Sequence, residues 1–303
     1  MRTATRVLVA LLLCTAGAGW FANVSPARAD DGSGAKKGLA NPFFVLSNGV
    51  QDAKHPTPQS QAAMLKELGY DGIGPSGCGG ISAMARAMED QGLKVVAQYV
   101  GANLDPDKPN YDPGLPQAIQ AMKGHGTFVW LTVHSSRFKP SSSDGDPRAV
   151  EIVRKIADMA DASGLQVALY PHSGFYVQRV EDAVRLAKKV DRENVGVTFN
   201  LCHWLKLDAP ESMKPLMELA APHLFLVTIN GADRDGKDWG QLIQPLDRGT
   251  FDVGNFLKTL NDLGYTGPVG LQCYAVPGDK YENLKRSMAA WQKISATLAS
   301  EPD

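Results

Sequence analysis

Apolar and polar positions along this chain switch repeatedly between two periods. Short apolar runs occur at Phe43 to Leu46, Tyr70 to Gly74, Lys94 to Tyr99 and Phe128 to His134. Four more follow at Val167 to Tyr170, Val195 to Asn200, Leu224 to Asn230 and Val269 to Gln272. Between them lie segments of helical period: Gln61 to Leu68, Ile81 to Gln91, Val150 to Ala162, Val180 to Val190, Phe256 to Leu263 and Leu284 to Leu298. The short runs read as strands and the longer periodic segments as helices. Strand-then-helix repetition predicts a parallel sheet, because each crossover returns the chain beside the preceding strand. The count of eight units, with no G-x-G-x-x-G after the first strand, favours a closed (β/α)8 TIM barrel over an open doubly wound sheet. Gly69, Gly92, Gly164 and Gly264 each follow a helical segment and precede a strand, where a residue with φ > 0 ends the helix.

The first 29 residues stand apart from this pattern. Arg2 and Arg6 precede an apolar run from Val7 to Leu13, and Ala27-Arg28-Ala29 supplies a small-x-small cleavage site, so residues 1 to 29 are expected to be a secretory signal peptide. An uncleaved anchor is the rival, but the apolar run falls short of the roughly 18 to 20 residues needed to cross a bilayer. Leu13 precedes Cys14 where a lipid-anchored signal wants a small residue, which disfavours lipid attachment. Residues 30 to 40 are expected to be a flexible N-terminal segment and 41 to 299 a single barrel domain, in a protein of the periplasm or the exterior.

Composition narrows the partners. The formal net charge is −1, and the leader holds basic residues only, so the remainder is mildly acidic. That balance argues against nucleic acid and anionic membrane, and no membrane contact is expected after the leader is cleaved. Cys78, Cys202 and Cys273 remain, an odd number without the spacing of a disulfide-stapled domain. Nothing in the sequence sets the oligomeric state.

In a barrel, alternate strand residues point inward and the site forms where strands end. Parity places Trp130, Thr132 and His134 inward from one strand, and Ala168, Tyr170 and His172 from the next. It adds Gly196, Thr198 and Asn200, then Thr228 and Asn230, then Gln272 and Tyr274. For any single one of these a hydrogen-bonded layer position is the simpler reading. Five consecutive strands that end in polar inward groups favour a site. Cys273 faces the helices by the same parity and reads as a buried thiol.

The stretches Val167-Ala168-Leu169-Tyr170-Pro171-His172-Ser173-Gly174, Val195-Gly196-Val197-Thr198-Phe199-Asn200-Leu201-Cys202-His203 and Pro268-Val269-Gly270-Leu271-Gln272 resemble motifs of the xylose-isomerase-like sugar isomerase and epimerase superfamily. Leu246 to Asp252 resembles that family's loop between the last two barrel strands. The resemblance implies the barrel fold across the mature chain. It also implies a divalent metal held by Glu, Asp, His and Glu at the ends of the last four strands. At the matching positions stand Tyr170, Asn200, Thr228 (with Asn230 two residues on) and Gln272. Two amides, a phenol and a hydroxyl leave a hard dication without anionic oxygen, so no metal and no other cofactor is expected. A three-histidine zinc centre from His134, His172 and His203 is the rival, with a spacing that is not diagnostic.

His172 and His203 match family histidines near the substrate and are the expected catalytic residues. His134, Tyr170, Asn200, Asn230, Arg248, Gln272 and Tyr274 are the expected contacts to a small-molecule carbohydrate. The expected function is isomerisation or epimerisation of a sugar by proton transfer next to a carbonyl, with histidine as base and neutral donors at the oxyanion. A keto-sugar glycoside lyase needs the same equipment. A non-catalytic carbohydrate binder is the other alternative, with Trp130, Trp204 and Trp239 as further aromatic surfaces. Glycoside hydrolysis fits poorly, because no pair of carboxylates ends these strands.

Overall fold

The computed structural model describes residues 39 to 300, so the expected leader, residues 1 to 29, and nearly all of the 30 to 40 segment lie outside the described residues. Nine parallel strands form one sheet: β1 (Phe43–Leu46), β2 (Gly72–Gly74), β3 (Lys94–Val95), β4 (Ala97–Asn103), β5 (Phe128–His134), β6 (Gln166–Leu169), β7 (Val195–Asn200), β8 (Leu224–Ile229) and β9 (Val269–Leu271). Their order is β3-β2-β1-β9-β8-β7-β6-β5-β4. The two ends of that order, β3 and β4, are halves of one extended segment interrupted at Val96. Lys94 and Val95 pair with β2 while Ala97 onward pairs with β5. Tyr99 reaches back to the extension of β2, its N–H donating to the Pro75 carbonyl at 2.8 Å. The sheet therefore closes on itself as an eight-stave (β/α)8 TIM barrel in a single domain.

Among the described residues ten α-helices are interspersed with the strands, and the expected six are all present: α1 (Pro58–Leu68), α2 (Ile81–Asp90), α4 (Asp146–Asp161), α5 (Val180–Val190), α9 (Val253–Asp262) and α10 (Lys280–Ser300). Four others, α3 (Leu115–Ala121), α6 (Leu201–Leu207), α7 (Met213–Ala220) and α8 (Trp239–Leu242), are short. The four glycines read as helix stops all adopt positive φ, from +68° at Gly92 and Gly164 to +87° at Gly69.

Strand parity divides the core into two layers. Val129, Leu131 and Val133 pack outward against the helices, with Cys273 among that layer. Inward lie Phe44, Leu46, Val96, Ala97, Trp130, Ala168, Tyr170 and Leu226. Phe44 occupies room that its neighbour leaves open, since a β-carbon at Gly270 would stand 2.6 Å from its ring. Trp130 is fully buried, donates from Nε1 to Thr198 Oγ1 at 2.8 Å, and stands edge-on to Tyr170 with centroids 4.7 Å apart. This aromatic plug is the floor on which the open end of the barrel is built.

Because the plug is close-packed, Trp130→Ala is expected to cost roughly 3 to 5 kcal/mol. Trp130→Phe, which keeps most of the ring and loses the bond to Thr198, is expected to cost about 1 to 2 kcal/mol. Urea unfolding of both variants checks the order; equal losses would mean that the ring volume is not what the site requires.

Candidate active site

At the carboxyl ends of the strands a cavity of about 550 Å³ opens above the plug. Tyr99 and Tyr170 form its base, His172, Ser173 and His203 one wall, and Gln272 with Tyr274 another, while Asn48, Ser76, Trp239 and Ile243 complete the rim. Trp239 comes from α8 in the long connection after β8. It stands edge-on to His203, with centroids 5.3 Å apart, beneath the Lys206 ammonium. Tyr274 is 58% exposed, and Ala275 beside it holds a positive φ of +55°, a conformation that costs energy for a residue with a β-carbon.

One peptide organises the histidine wall. His172 Nδ1 lies 2.9 Å from the Ser173 carbonyl oxygen, which can only accept, so Nδ1 carries the proton and the Nε2 lone pair is free. The Ser173 N–H donates to His203 Nδ1 at 3.3 Å, so His203 carries its proton on Nε2. The two rings lie 4.0 Å apart, centroid to centroid. One presents an acceptor and the other a donor, both set by the two sides of a single residue's backbone. Burial pushes both rings below the ordinary histidine value, His203 furthest, so both are neutral at pH 7.

Below them, the Tyr170 hydroxyl accepts from Gln272 Nε2 at 3.3 Å, and burial raises its pKa far above the usual phenol range. Gln272 Oε1 accepts from Asn48 Nδ2 at 3.2 Å and from the Tyr274 N–H at 3.0 Å, which turns its Nε2 toward Tyr170. Asn200 Nδ2, Thr228 Oγ1 and Asn230 Oδ1 are buried without a hydrogen-bond partner. These neutral groups occupy the matched metal-ligand positions, and the set does not fit a divalent cation that requires anionic oxygen. Among the described residues, no cluster of three or more His, Cys, Asp or Glu is placed to hold a metal ion.

Of the nine residues singled out from sequence, Tyr170, His172, His203, Gln272 and Tyr274 line the cavity. Asn200 lies beneath it. Asn230 turns its Nδ2 to the carbonyls of Gly231 and Leu242, 2.8 and 2.7 Å away, and so anchors α8. Arg248 is exposed in a different groove, beside Asp247 and Lys293. His134 is cut off from His172 by the Phe175 ring, which lies 3.8 Å from one and 3.9 Å from the other. That interposed ring removes the three-histidine zinc centre. Trp130 belongs to the plug. Trp204 is buried with Nε1 on Ser212, so neither faces the cavity. Ser173, Tyr99, Asn48 and Phe175 were not singled out. Ser173 stood within a motif, yet its role lies in its backbone, which side-chain chemistry does not reveal.

Residues 62–294 match the model of the family described as xylose isomerase-like TIM barrel. A 3-dehydroshikimate dehydratase of Pseudomonas aeruginosa is 26% identical over 136 residues, 43% of this chain and 21% of that protein, so the match spans about a fifth of the relative's length. Among solved structures, a 3-keto-D-glucoside 4-epimerase from E. coli superposes with a TM-score of 0.68 at 17% identity, covering 84% of this chain and 99% of that one. A xylose isomerase-like barrel from Mycobacterium smegmatis in complex with magnesium gives a TM-score of 0.64 at 18% identity, covering 86% of this chain and 99% of that one. At these identities the likeness is one of fold.

The buried histidines make stability depend on pH. Burial, with His172 nearby, lowers His134 to about 4, whereas the unfolded chain titrates near 6.5. Between those values the unfolded state binds more protons, so this stability is complete above about pH 6.5 and is lost as pH falls toward 4. Thermal unfolding at pH 7 and pH 5 is expected to show a smaller acid-induced loss in His134→Gln than in wild type, by about 1 to 2 kcal/mol. An identical loss in both would show that His134 is not held neutral.

Proposed function

The chain belongs to the xylose isomerase-like TIM barrel family, and from that premise we propose that it is an exported sugar-modifying enzyme that moves a proton on the carbon next to a carbonyl, without a metal. The observation that carries this reading is the pair of opposite tautomers fixed by the Ser173 backbone. His172 Nε2, with its free lone pair, takes the proton from carbon. His203 Nε2–H donates to the oxygen that gains charge as the enolate forms, and it does so in a site where burial strengthens the interaction. A neutral imidazole is a workable base near pH 7, and its lowered pKa keeps it unprotonated below the ordinary histidine range.

The two histidines lie side by side, and among the described residues they are the only imidazoles lining the cavity. Inversion at carbon needs a proton delivered to the face opposite the one it left. Isomerisation between adjacent carbons, or elimination of a group β to the carbonyl, can run from one face. The side-by-side arrangement therefore favours isomerisation or elimination over epimerisation. The family and the partial likeness to a dehydratase support this class of chemistry. The expected export signal makes free sugars and glycosides better substrates than phosphorylated ones. Amides and aromatic faces around the cavity also suit a binder; proton exchange separates the two readings.

In deuterated water, NMR is expected to show exchange of the C–H next to the ketone of a bound keto-sugar. His172→Gln should slow it by about 10²- to 10⁴-fold. The acid limb of the rate profile should lie below pH 6.5, because the lowered pKa keeps His172 in its basic form there. Saturable binding without exchange would replace the enzyme with a binder. Dialysis against EDTA is expected to leave the rate unchanged, and loss restored by manganese or magnesium would refute the metal-free mechanism.

A further inference from the structure

A second concavity of about 640 Å³ lies on the far side of the Phe175 ring. The wall between it and the main cavity is one ring thick. His172 stacks on one face of Phe175 at an interplanar angle of 12°, and His134 covers the other. Both spaces open at the same end of the barrel. β4 contributes Tyr99 to the first and Gly101 to Asn103 to the second, while the segment after β6 gives His172 and Ser173 to one and Gly174 and Phe175 to the other.

The chemistry of this second space is that of a built polar groove. Asp105 is almost fully buried. Its carboxylate accepts from the hydroxyls of Ser135 and Ser136 and from the Ser136 N–H, at 2.7 to 2.9 Å. Those bonds hold it ionised, well below the usual carboxylate range, and fix the loop that follows β5. Lys108, half-exposed, stands 3.6 Å from the same carboxylate. Its charge is thus balanced, and Asp112 adds a further negative group to the lining. A phosphate or carboxylate ligand would meet no net positive field. A neutral, hydroxylated ring meets the Lys108 donors, the Asp112 acceptor and the flat sides of Tyr111 and Pro109.

We propose that the substrate is a neutral glycoside or disaccharide, whose ketone-bearing ring occupies the main cavity while the second ring lies in the groove lined by Lys108, Tyr111 and His134, with Phe175 as the divider. This rests on the sugar-modifying reading above and sharpens its substrate class. Neutral probes exist in matched pairs: D-fructose as the single ketose, and lactulose and maltulose, which carry a second ring on the same ketose. Binding of each to the full chain is measured by calorimetry, alongside C–H exchange in deuterated water. At least one disaccharide is expected to bind 10-fold or more tightly than fructose. Lys108→Trp, which fills the groove from an exposed position, should abolish that surplus and leave fructose binding unchanged, and Lys108→Met should reduce it in part. A shared thermal midpoint with wild type shows that these variants fold. Disaccharides that bind no better than fructose, or a surplus that survives Lys108→Trp, would overturn the groove while His172-dependent exchange of fructose upholds the parent reading. If none of the three sugars binds or exchanges, the parent reading falls and the groove with it.

Discussion

Closure of the sheet is the constraint on which everything else rests. A single extended segment, Lys94 to Asn103, pairs with β2 through its first residues and with β5 through the rest, and the break at Val96 lets one piece of chain satisfy both neighbours. Once the sheet is closed, each strand has one face turned to the helices and one to an interior that must be filled. Here the filling is aromatic. Phe44, Trp130 and Tyr170, with Tyr99 edge-on to both Trp130 and Tyr170 at 6.1 and 5.3 Å, rise through the barrel until the last layer becomes the base of the cavity. Core and site are thus continuous: the same parity that buries Trp130 presents His134 four residues later.

Burial then sets the chemistry. In a site floored by aromatic rings, a histidine is held neutral by desolvation, and a carboxylate would be driven toward its protonated form unless a cation lay beside it. Amides, hydroxyls and a phenol at the four matched metal-ligand positions avoid that penalty. These four positions offer no anionic oxygen. A group of uncompensated carboxylates at this depth would be unstable, so neutral polar groups and neutral histidines suit the same buried floor.

Much of the fold was legible because it is written in period. Six of the eight apolar runs begin within a residue of a strand start and end within a residue of its end, and the glycines placed after helical segments do adopt positive φ. The unread helices were α3, α6, α7 and α8, each of four to eight residues, too short to show a 3.6-residue stripe. The site was half legible. Parity identified Tyr170, Gln272 and Tyr274, and motif resemblance identified His172 and His203. Parity alone did not separate Asn200 and Asn230, which serve the interior and the α8 anchor, from residues that face the cavity. Arg248 followed from a loop motif, and a loop's course across the surface is not fixed by pattern.

What escaped the sequence entirely was the part played by backbone and by intervening rings. The Ser173 side chain would fit many roles, but the opposite tautomers of His172 and His203 depend on the direction of its N–H and C=O, which any residue but proline would offer. Phe175 reads as an ordinary apolar residue in a loop, yet its ring decides that His134 belongs to a different space from the other two histidines. Both features divide the three histidines into an adjacent pair, one ring presenting an acceptor and the other a donor, and a third set apart by Phe175. The distinction is a matter of about one ring's thickness, and it is set by the turn from His172 to Val177, whose backbone closes on itself through the bonds of His172 to Val177 and of Phe175 to His172, each at 3.0 Å.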